Sequence, residues 1–431
     1  MKQLLQSIKD GNLRIIEAPT PIPGPTEVLV ATSCSLVSAG TEKAVRGLAS
    51  ASLLAKAKAR PDLVRQVIAK AKADGIQATR RAVQGRLQDD MPLGYSAAGR
   101  VLAVGEAVNG IAPGMRVATA SAGHGDHQVV PGLLAVPIPE GVTDSEAAFG
   151  AVAAIALQGL RQADVQVGGT VAVIGLGLIG QLTLRMAKAS GLDVVGIDLQ
   201  PHLVNLAASH GAAAFVENGD TTTRSILEIT KGRGVDAVLI TAATSSSEPA
   251  MRSTQILRDR GRLVVVGDIG LSLQRTPFYE KELEIRFARS YGPGRYERSY
   301  EEYAVDYPLG HVRWTEGRNI ETYLNLVSSG RVTVEDLVSR TYPLQDAREA
   351  YEALSNLDVI GVQFTYATVK STPRASMPTN TGSPLAKPSI GMIGAGNFVQ
   401  ATLLPAFAKA QLTMPYIFFT KPSATDITNA F

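Results

Sequence analysis

The sequence has few of the features that mark disulfide-rich, metal-rich or membrane-bound proteins. Cys34 is the only cysteine among 431 residues, which excludes an internal disulfide and a cysteine-rich metal site. The net charge of +3 is too small, for this length, to indicate a nucleic-acid or membrane partner. No apolar run has the length that spans a bilayer, and the polar start MKQLLQSIKDGN lacks a signal-peptide core. We therefore expect a cytoplasmic protein with neither kind of partner.

Hydrophobic residues make up 45% of the chain, enough for two or three domains, and their pattern changes along it. Residues 1–145 alternate short strands with Pro and Gly turns, except for an Ala-, Lys- and Arg-rich insert at 43–88 that predicts helices. Residues 146–294 alternate strands and helices, the pattern of a parallel, doubly wound sheet. Helices and a closing strand over 295–367 predict a return to the first domain.

A glycine-rich turn lies between a strand and a helix near the start of the doubly wound region. The strand VAVI leads into GLGLIG, the helix QLTLRMAKA follows, and Asp198 ends the next strand. Gly175 permits a tight turn, Gly177 lets a pyrophosphate approach the backbone, and Gly180 allows close packing of helix and strand. Asp198 can accept hydrogen bonds from ribose hydroxyls and would repel a 2′-phosphate, which favours NAD over NADP. The predicted cofactor-binding residues are Gly175, Gly177, Leu178, Ile179, Gly180 and Asp198.

A second, weaker fingerprint follows a Ser-, Thr- and Pro-rich linker at 368–388. Residues 389–431 repeat strand, glycine turn and helix, and then the sequence stops; we interpret them as the opening of a second dinucleotide-binding domain, cut short. In the turn Gly394-Ala395-Gly396-Asn397-Phe398-Val399, Val399 replaces the third glycine. Thr420 and Lys421 stand where an acidic residue would follow the next strand. A working nucleotide site and an incomplete fold both remain open.

The motifs EVLVATSCSLVSAGTE, PLGYSAAGRVLAVGEAV and LAVPIPEGV, together with the nucleotide fold ending in KELEI, resemble the medium-chain dehydrogenases, the superfamily of zinc alcohol and sorbitol dehydrogenases. This resemblance implies an α/β protein with a GroES-like β-rich domain and a doubly wound Rossmann domain, and a homo-oligomer. The tail resembles the start of the glucose–fructose oxidoreductase and inositol dehydrogenase family, as a partial second Rossmann unit. The fusion is similar to oxidoreductases of bacterial surface-polysaccharide synthesis, which implies a sugar or sugar-nucleotide substrate.

The sequence departs from the zinc enzymes of that superfamily at their metal ligands. Where those enzymes have a Cys after the second strand and a Gly-His-Glu motif, this chain has Ser38 (or Val37) and then Tyr95 and Ser96. Hydroxyl groups are poor zinc ligands, and the four-Cys lobe is absent as well. We therefore expect no metal. A remaining metal-like cluster is interpreted as solvated polar surface; it comprises His124, Asp126 and His127.

Without zinc, hydrogen-bond donors must stabilise the charge that develops on the substrate oxygen. The resemblance places Tyr95 near the nicotinamide, where its hydroxyl can donate to that oxygen; the alternative is a tyrosine packed in the domain cleft. Ser38 and Glu42 belong to a loop that faces the catalytic centre in the family. Glu42 can orient a sugar hydroxyl or act as a base, or can simply begin a helix. Lys281 resembles an element near the cleft, against the alternative of a surface lysine.

Two further stretches have open interpretations. The segment SYGPGRYERSYEEYAVDYPLGHVRWTEGRN combines tyrosines and the only tryptophan, Trp314, with four arginines, at 295, 298, 313 and 318. It fits either a sugar or phosphate site or an aromatic interdomain or subunit contact. The basic insert at 43–88 is interpreted as a rim over the cleft that attracts an anionic substrate, rather than as a nucleic-acid site.

The leading hypothesis is an NAD(H)-dependent, zinc-independent oxidoreductase that transfers hydride between the nicotinamide and an alcohol or carbonyl of a sugar or sugar nucleotide. Two alternatives remain open. One is a zinc-free enoyl or quinone reductase; such enzymes of the superfamily typically prefer NADPH, which Asp198 disfavours. The other is a dinucleotide-binding scaffold without catalytic activity.

Overall fold

The computed structural model describes residues 1–8, 10–38, 40 and 90–367, together with 64, 65, 67–69, 72, 75, 391–393, 399, 403–410 and 416–418. Several predicted features lie outside the described residues: Glu42, most of the insert at 43–88, the linker at 368–388 and the turn at 394–398. The expectations attached to them stay predictions.

The β-rich part of the chain forms two sheets. Its strands are β1 (Lys2–Ser7), β2 (Leu13–Glu17), β3 (Glu27–Val37), β4 (Asp90–Pro92), β5 (Ser96–Val104), β6 (Arg116–Ala120), β7 (His127–Pro131) and β8 (Ala135–Pro137). β2, β1 and β4 make a small antiparallel sheet. The long strand β3 is buried along most of its length and pairs antiparallel with β5 and β7, while β6 joins β5 to β8. Its run of β-branched and small residues suits this buried position.

Two helices connect this part to the next sheet: α1 (Asp144–Ala147) and α2 (Gly150–Ala163). α1 begins with a capping box, in which the Thr143 hydroxyl accepts from the Glu146 amide and the Glu146 carboxylate accepts from the Thr143 amide. α2 is rich in alanine and glycine and almost wholly buried. Its small side chains let it contact β5 and β6 on one side and β12 and β13 of the following sheet on the other.

The second large sheet has six parallel strands in the order β11-β10-β9-β12-β13-β14. The strands are β9 (Thr170–Ile174), β10 (Asp193–Asp198), β11 (Ala213–Val216), β12 (Val235–Ile240), β13 (Leu257–Val265) and β14 (Glu284–Phe287). The helices between them are α3 (Leu178–Ala189), α4 (Pro201–Ser209), α5 (Asp220–Ile229), α6 (Glu248–Ile256) and α7 (Arg275–Glu280). This order is that of the doubly wound dinucleotide-binding fold, as the sequence predicts.

After β14 the chain returns to the first domain. It forms α8 (Arg298–Glu301), α9 (Glu316–Ser328), β15 (Val338–Pro343), α10 (Ala347–Ala353) and β16 (Gly361–Thr365), and β16 pairs antiparallel with β3. A buried ion pair holds this return against the nucleotide domain, because Arg185 on α3 donates to both carboxylate oxygens of Asp336, at 2.6 and 2.9 Å. The predicted return of the chain is therefore observed.

The described part of the tail is one small unit. β17 (Gly391–Ile393), α11 (Leu404–Lys409) and β18 (Tyr416–Phe418) follow one another, and the two strands pair in parallel. This order agrees with the strand, turn and helix that the sequence indicates. Its assignment as part of a second Rossmann unit stays a prediction.

Candidate functional site

The glycine turn lies where the strand order of the parallel sheet reverses. β9 and β12 are neighbours at this point, and their connections leave on opposite faces of the sheet. Gly175 adopts φ +91°, and a Cβ there would approach the Ala242 amide nitrogen to 2.7 Å. A Cβ on Gly180 would lie 2.0 Å from the Gly175 carbonyl oxygen, which in turn accepts a hydrogen bond from the Thr241 hydroxyl. Both glycines are therefore required by close backbone approach.

Gly177 differs from the other two glycines because the space beside it is open. A Cβ built on Gly177 meets no atom within 4 Å. Gly177 is the N-cap of α3, and no side chain caps that helix end. The first amides of α3 are thus available to an anion, supported by the positive end of the helix dipole. The residues present fit the pyrophosphate of a dinucleotide.

Asp198 ends β10 beside this turn and is only partly buried. One of its carboxylate oxygens accepts from the Leu176 amide at 2.6 Å, and the other accepts from the Gln200 amide at 2.8 Å. Each carboxylate oxygen has a second lone pair for a further donor. Asp198 therefore fixes the turn and still offers negative charge to a ribose.

Strand pairing brings Ser38 and Tyr95 to the same edge of the first domain. Leu36 of β3 opposes Ser96 of β5, so that the residue after β3 and the residue before β5 lie together. Ser38 is buried there, whereas Tyr95 is half-buried. Ser121, which follows β6, donates its amide to the Tyr95 carbonyl at 3.0 Å.

The turn that carries Tyr95 is supported from behind by a buried histidine. His124 is fully buried, its Nδ1 lies 2.7 Å from the Ser35 hydroxyl, and its ring meets Phe364 edge-on at 4.9 Å. His127 is also buried, and its Nδ1 lies 2.8 Å from a carboxylate oxygen of Asp126. The interpretation of His124, Asp126 and His127 as solvated surface is therefore wrong, because this loop packs between the first two sheets.

Gly94 precedes Tyr95, and we expect Gly94→Ala to lower the free energy of unfolding by about 3 kcal/mol or more. Gly94 has φ +92°, and a Cβ there would lie 2.7 Å from the His124 ring. Gly110→Ala is the matched control, since Gly110 has φ +75° and nothing within 4 Å of the added Cβ. It should cost only about 1 kcal/mol. Denaturant unfolding of both variants tests this; equal losses would contradict the contact with His124.

Tyr95 and the cofactor turn lie against one apolar cluster. Leu178 is a buried member of this cluster, and both Ile179 and Tyr95 are partly buried against it. The Tyr95 ring lies 5.8 Å from the Tyr291 ring, at 32°. Helix α2 supplies many of the remaining members of the cluster. The fold therefore brings the tyrosine of the first domain and the glycine turn of the second to opposite sides of a shared core.

An arginine that follows Tyr291 borders the same place. The guanidinium carbon of Arg295 lies 4.9 Å from the centre of the Tyr291 ring, and its Nη1 lies 3.3 Å from the Ser121 hydroxyl oxygen. Arg295 also pairs with the Glu301 carboxylate. The described site therefore contains two phenols, a hydroxyl and a guanidinium, all of which can donate to an oxygen. Sequence reasoning named Arg295 as part of a segment but missed Tyr291 and Ser121.

The positions of the zinc ligands hold groups that do not fit zinc. The Ser96 hydroxyl donates to the Ala148 carbonyl at 2.6 Å and accepts from the Ala151 amide at 3.1 Å, so that it serves the start of α2. Burial, with a contribution from the Asp144 charge, raises the pKa of the Cys34 thiol to about 12. Among the described residues, no group of three or more His, Cys, Asp and Glu side chains is placed to hold a metal ion.

The structure places Lys281 away from the cleft, so its predicted position there is wrong. Its ammonium group donates to the carbonyls of Thr254 and Leu257, each at 2.7 Å. Leu257 begins β13, whereas the glycine turn follows the carboxyl end of β9. In a parallel sheet these are opposite edges, separated by a strand of about 16 Å. Lys281 binds the carbonyls where α6 ends.

The arginines of the aromatic segment bind groups of the protein itself. Arg298 pairs with Glu302, Arg318 pairs with Asp306, and Arg295 pairs with Glu301 as described above. The guanidinium carbons of Arg161 and Arg313 lie 3.4 and 3.8 Å from the centre of the Trp314 ring. These contacts agree with the alternative of an aromatic interdomain contact for most of this segment. Arg295 is the member that reaches the Tyr95 side.

Comparison with known proteins agrees with this geometry. Residues 179–305 match the zinc-binding dehydrogenase family model. D-arabitol-phosphate dehydrogenase of Enterococcus avium is 26% identical over 202 residues, 45% of this chain and 50% of the relative. D-guloside 3-dehydrogenase of Escherichia coli (strain K12) is 30% identical over 188 residues, 42% of this chain and 49% of the relative. The chain thus spans about half the length of the curated relatives it matches.

Solved structures extend the likeness to most of the chain. Galactitol-1-phosphate dehydrogenase from Escherichia coli superposes with a TM-score of 0.64 at 18% identity, covering 85% of this chain and 100% of that one. An alcohol dehydrogenase from Escherichia coli CFT073 in complex with NADH gives a TM-score of 0.63 at 20% identity, with 85% and 99% coverage. At these identities the likeness shows the fold, an α/β fold with a GroES-like and a Rossmann part. The predicted resemblance to the medium-chain dehydrogenases is supported at this level.

The described helices were also compared with the requirements of a membrane span. None of them is both long enough and apolar enough to cross a bilayer.

Proposed function

We propose that this protein is an oxidoreductase that transfers hydride between NAD(H) and a hydroxyl or carbonyl carbon of a sugar or sugar derivative, without zinc. The observation that carries the proposal is the open glycine turn at the reversal of strand order, with the Asp198 carboxylate beside it. A bound nicotinamide supplies the capacity to accept or release hydride. The helix start at Gly177 would hold its pyrophosphate, and Asp198 would hold its adenosine ribose.

The residues of the first domain supply the polar part of this chemistry. The Tyr95 hydroxyl donates to the substrate oxygen and so stabilises the charge that develops there. Ser38 lies at the same edge of the sheet, and Arg295 adds positive charge from the other side. Ser38, Tyr95 and Ser96 at the ligand positions support a zinc-independent reaction. Glu42 remains a candidate for orienting a substrate hydroxyl.

The proposed substrate class rests on the relatives as well as on the site. The two curated relatives are named for a sugar-alcohol phosphate and a guloside, and both names describe dehydrogenases. A site of phenol, hydroxyl and guanidinium donors suits a polyhydroxylated substrate. We extend the proposal to sugar nucleotides, to a role in surface-polysaccharide synthesis, and to a homo-oligomer in the cytoplasm; the relatives' names support the sugar chemistry alone.

Asp198→Ala is expected to weaken NAD binding by about ten- to a hundred-fold and to abolish the preference for NAD over NADP. The variant loses both the acceptor for the ribose and the charge that repels a 2′-phosphate. Asp198→Asn separates these effects, because its amide oxygen still accepts from the Leu176 amide while the charge is gone. We expect Asp198→Asn to keep the stability of the wild type and to admit NADP.

Isothermal titration calorimetry with NAD and NADP measures all three proteins. The proposed function fails if the intact wild-type protein binds neither dinucleotide. The NAD assignment alone fails if Asp198→Ala keeps the wild-type preference. Binding of NAD without turnover of any sugar or sugar alcohol would favour the catalytically silent scaffold.

A further inference from the structure

Glu316 is a buried carboxyl group that the proposed reaction has not yet used. It is the first residue of α9, follows the N-cap Thr315, and has an exposed fraction of zero. Among the described residues, neither of its carboxylate oxygens has a hydrogen-bond partner. An isolated buried carboxylate is unfavourable, so this group either holds a proton or shares one with a mobile donor.

Charged groups surround Glu316 on the elements that pack against it. Burial is the main cause that raises the pKa of Glu316, to about 8, and the negative charges of Glu301 on α8 and of Glu297 raise it further. The positive charge of Arg295 acts in the opposite direction. Three phenols also interact electrostatically with this carboxyl group: Tyr291, Tyr300 and Tyr307. A proton is therefore held on Glu316 in the pH range in which enzymes of this kind work.

A wall of side chains separates Glu316 from the cleft, and its members are connected. Arg295 lies against the Tyr291 ring and reaches Ser121, whose amide is bonded to the Tyr95 carbonyl. Tyr291 itself is buried, and its ring lies 5.8 Å from that of Tyr95. The two phenols are thus the polar groups that lie between the cleft and the interior on this side.

We propose that Glu316 is the proton-holding residue of this site and exchanges one proton with the substrate oxygen by way of the Tyr291 and Tyr95 hydroxyls. This inference rests on the proposed function, whose dinucleotide is the oxidant. When an alcohol is oxidised, its O–H bond breaks and the proton passes to the Tyr95 hydroxyl oxygen. The proton of Tyr95 passes to Tyr291, and the proton of Tyr291 forms the new O–H bond on the Glu316 carboxylate.

The electron pair of the alcohol C–H bond leaves with the hydrogen as hydride, so the carbonyl product, the hydride and the proton on Glu316 account for all atoms. Reduction of a carbonyl reverses the same path. Glu316 touches neither substrate nor cofactor in this scheme and acts through the two tyrosines. Its burial explains why a proton taken up there is kept out of the solvent during hydride transfer.

Infrared spectroscopy of the full chain tests whether Glu316 holds a proton, independently of turnover. The wild type should show a protonated-carboxyl band that disappears with a midpoint near the raised pKa as the pH increases from about 6 to about 10. Glu316→Gln should remove this band. Glu302→Gln is the matched control and should keep it, since Glu302 is exposed and pairs with Arg298 on the surface. A band that survives in Glu316→Gln overturns the proposal.

A second variant tests the assignment without changing residue 316. Glu301→Gln removes a negative charge that raises the pKa of Glu316 and releases Arg295 from its ion pair. Both changes should move the midpoint of the band to lower pH. An unchanged midpoint would contradict the arrangement of charges described here. This variant keeps the proposal testable if Glu316→Gln does not fold.

The pH dependence of the hydride-transfer rate tests the path itself. The wild type should show a limb near the midpoint of the infrared band, and both Glu316→Gln and Tyr291→Phe should remove the limb and slow transfer by about ten-fold or more. A limb that persists in both variants overturns the proton path and leaves the proposed function intact. A wild type that binds no dinucleotide in calorimetry overturns the proposed function first, and the inference with it.

Discussion

Gly177→Ala is expected to weaken dinucleotide binding by about ten-fold or more while the melting temperature of the protein stays unchanged. The added methyl group meets no atom of the protein within 4 Å, and Gly177 has φ −65° and ψ −166°, a backbone conformation open to alanine. The folded structure therefore accepts the substitution. The methyl group instead occupies the space in front of the first amides of α3, where a pyrophosphate has to approach.

Gly180→Ala is the matched comparison within the same turn. Its Cβ would lie 2.0 Å from the Gly175 carbonyl oxygen and 3.0 Å from the Thr241 hydroxyl oxygen. Helix and strand must move apart, and we expect a loss of about 3 kcal/mol in the free energy of unfolding together with weaker binding. Thermal unfolding and calorimetry on both variants separate the two roles. Equal stability losses, or full dinucleotide affinity in Gly177→Ala, would contradict the assignment of the turn.

The glycine turn was predictable because its determinants are local. Three glycines at fixed spacing, an apolar strand before them and a carboxylate at the end of the next strand lie within one βαβ unit, so the sequence alone brings them together. The structure adds the Leu176 amide as a partner of Asp198, a contact that also follows from this unit. Ser38 and Tyr95 were predictable only through family resemblance, because the pairing of β3 with β5 joins distant segments.

The residues that sequence reasoning misplaced depend on packing between distant elements. The sequence KEL does not reveal at which edge of the sheet Lys281 lies, and the polar string GHGDHQ does not reveal that His124 is covered by Phe364 and Gly94. Glu316 was missed because Thr315-Glu316 is typical of an ordinary exposed helix start. Here the Tyr300 hydroxyl donates to the Thr315 hydroxyl, and the segment around Tyr300 covers the helix start.

That burial leads to a large expected effect on stability, namely that Glu316→Gln stabilises the protein at high pH. The pKa of Glu316 is raised from 4.5 to about 8 in the folded protein, chiefly by burial, so the folded chain binds this proton more tightly than the unfolded chain does. Below the unfolded pKa the carboxyl group is neutral in both states and costs nothing. As the pH rises towards the folded pKa, the unfolded chain ionises first, and the free energy of unfolding falls.

Each pKa unit corresponds to about 1.36 kcal/mol, so ionisation of Glu316 should cost about 4 kcal/mol once the pH exceeds the folded pKa. Glutamine cannot ionise, and Glu316→Gln should therefore match the wild type near pH 5 and exceed it by about this amount near pH 9. Denaturant unfolding at a series of pH values measures the difference. The exposed Glu302→Gln should show no such slope. A difference between Glu316→Gln and the wild type that stays constant with pH would mean that Glu316 is ionised throughout, because only a proton held by the folded state makes the stability difference depend on pH.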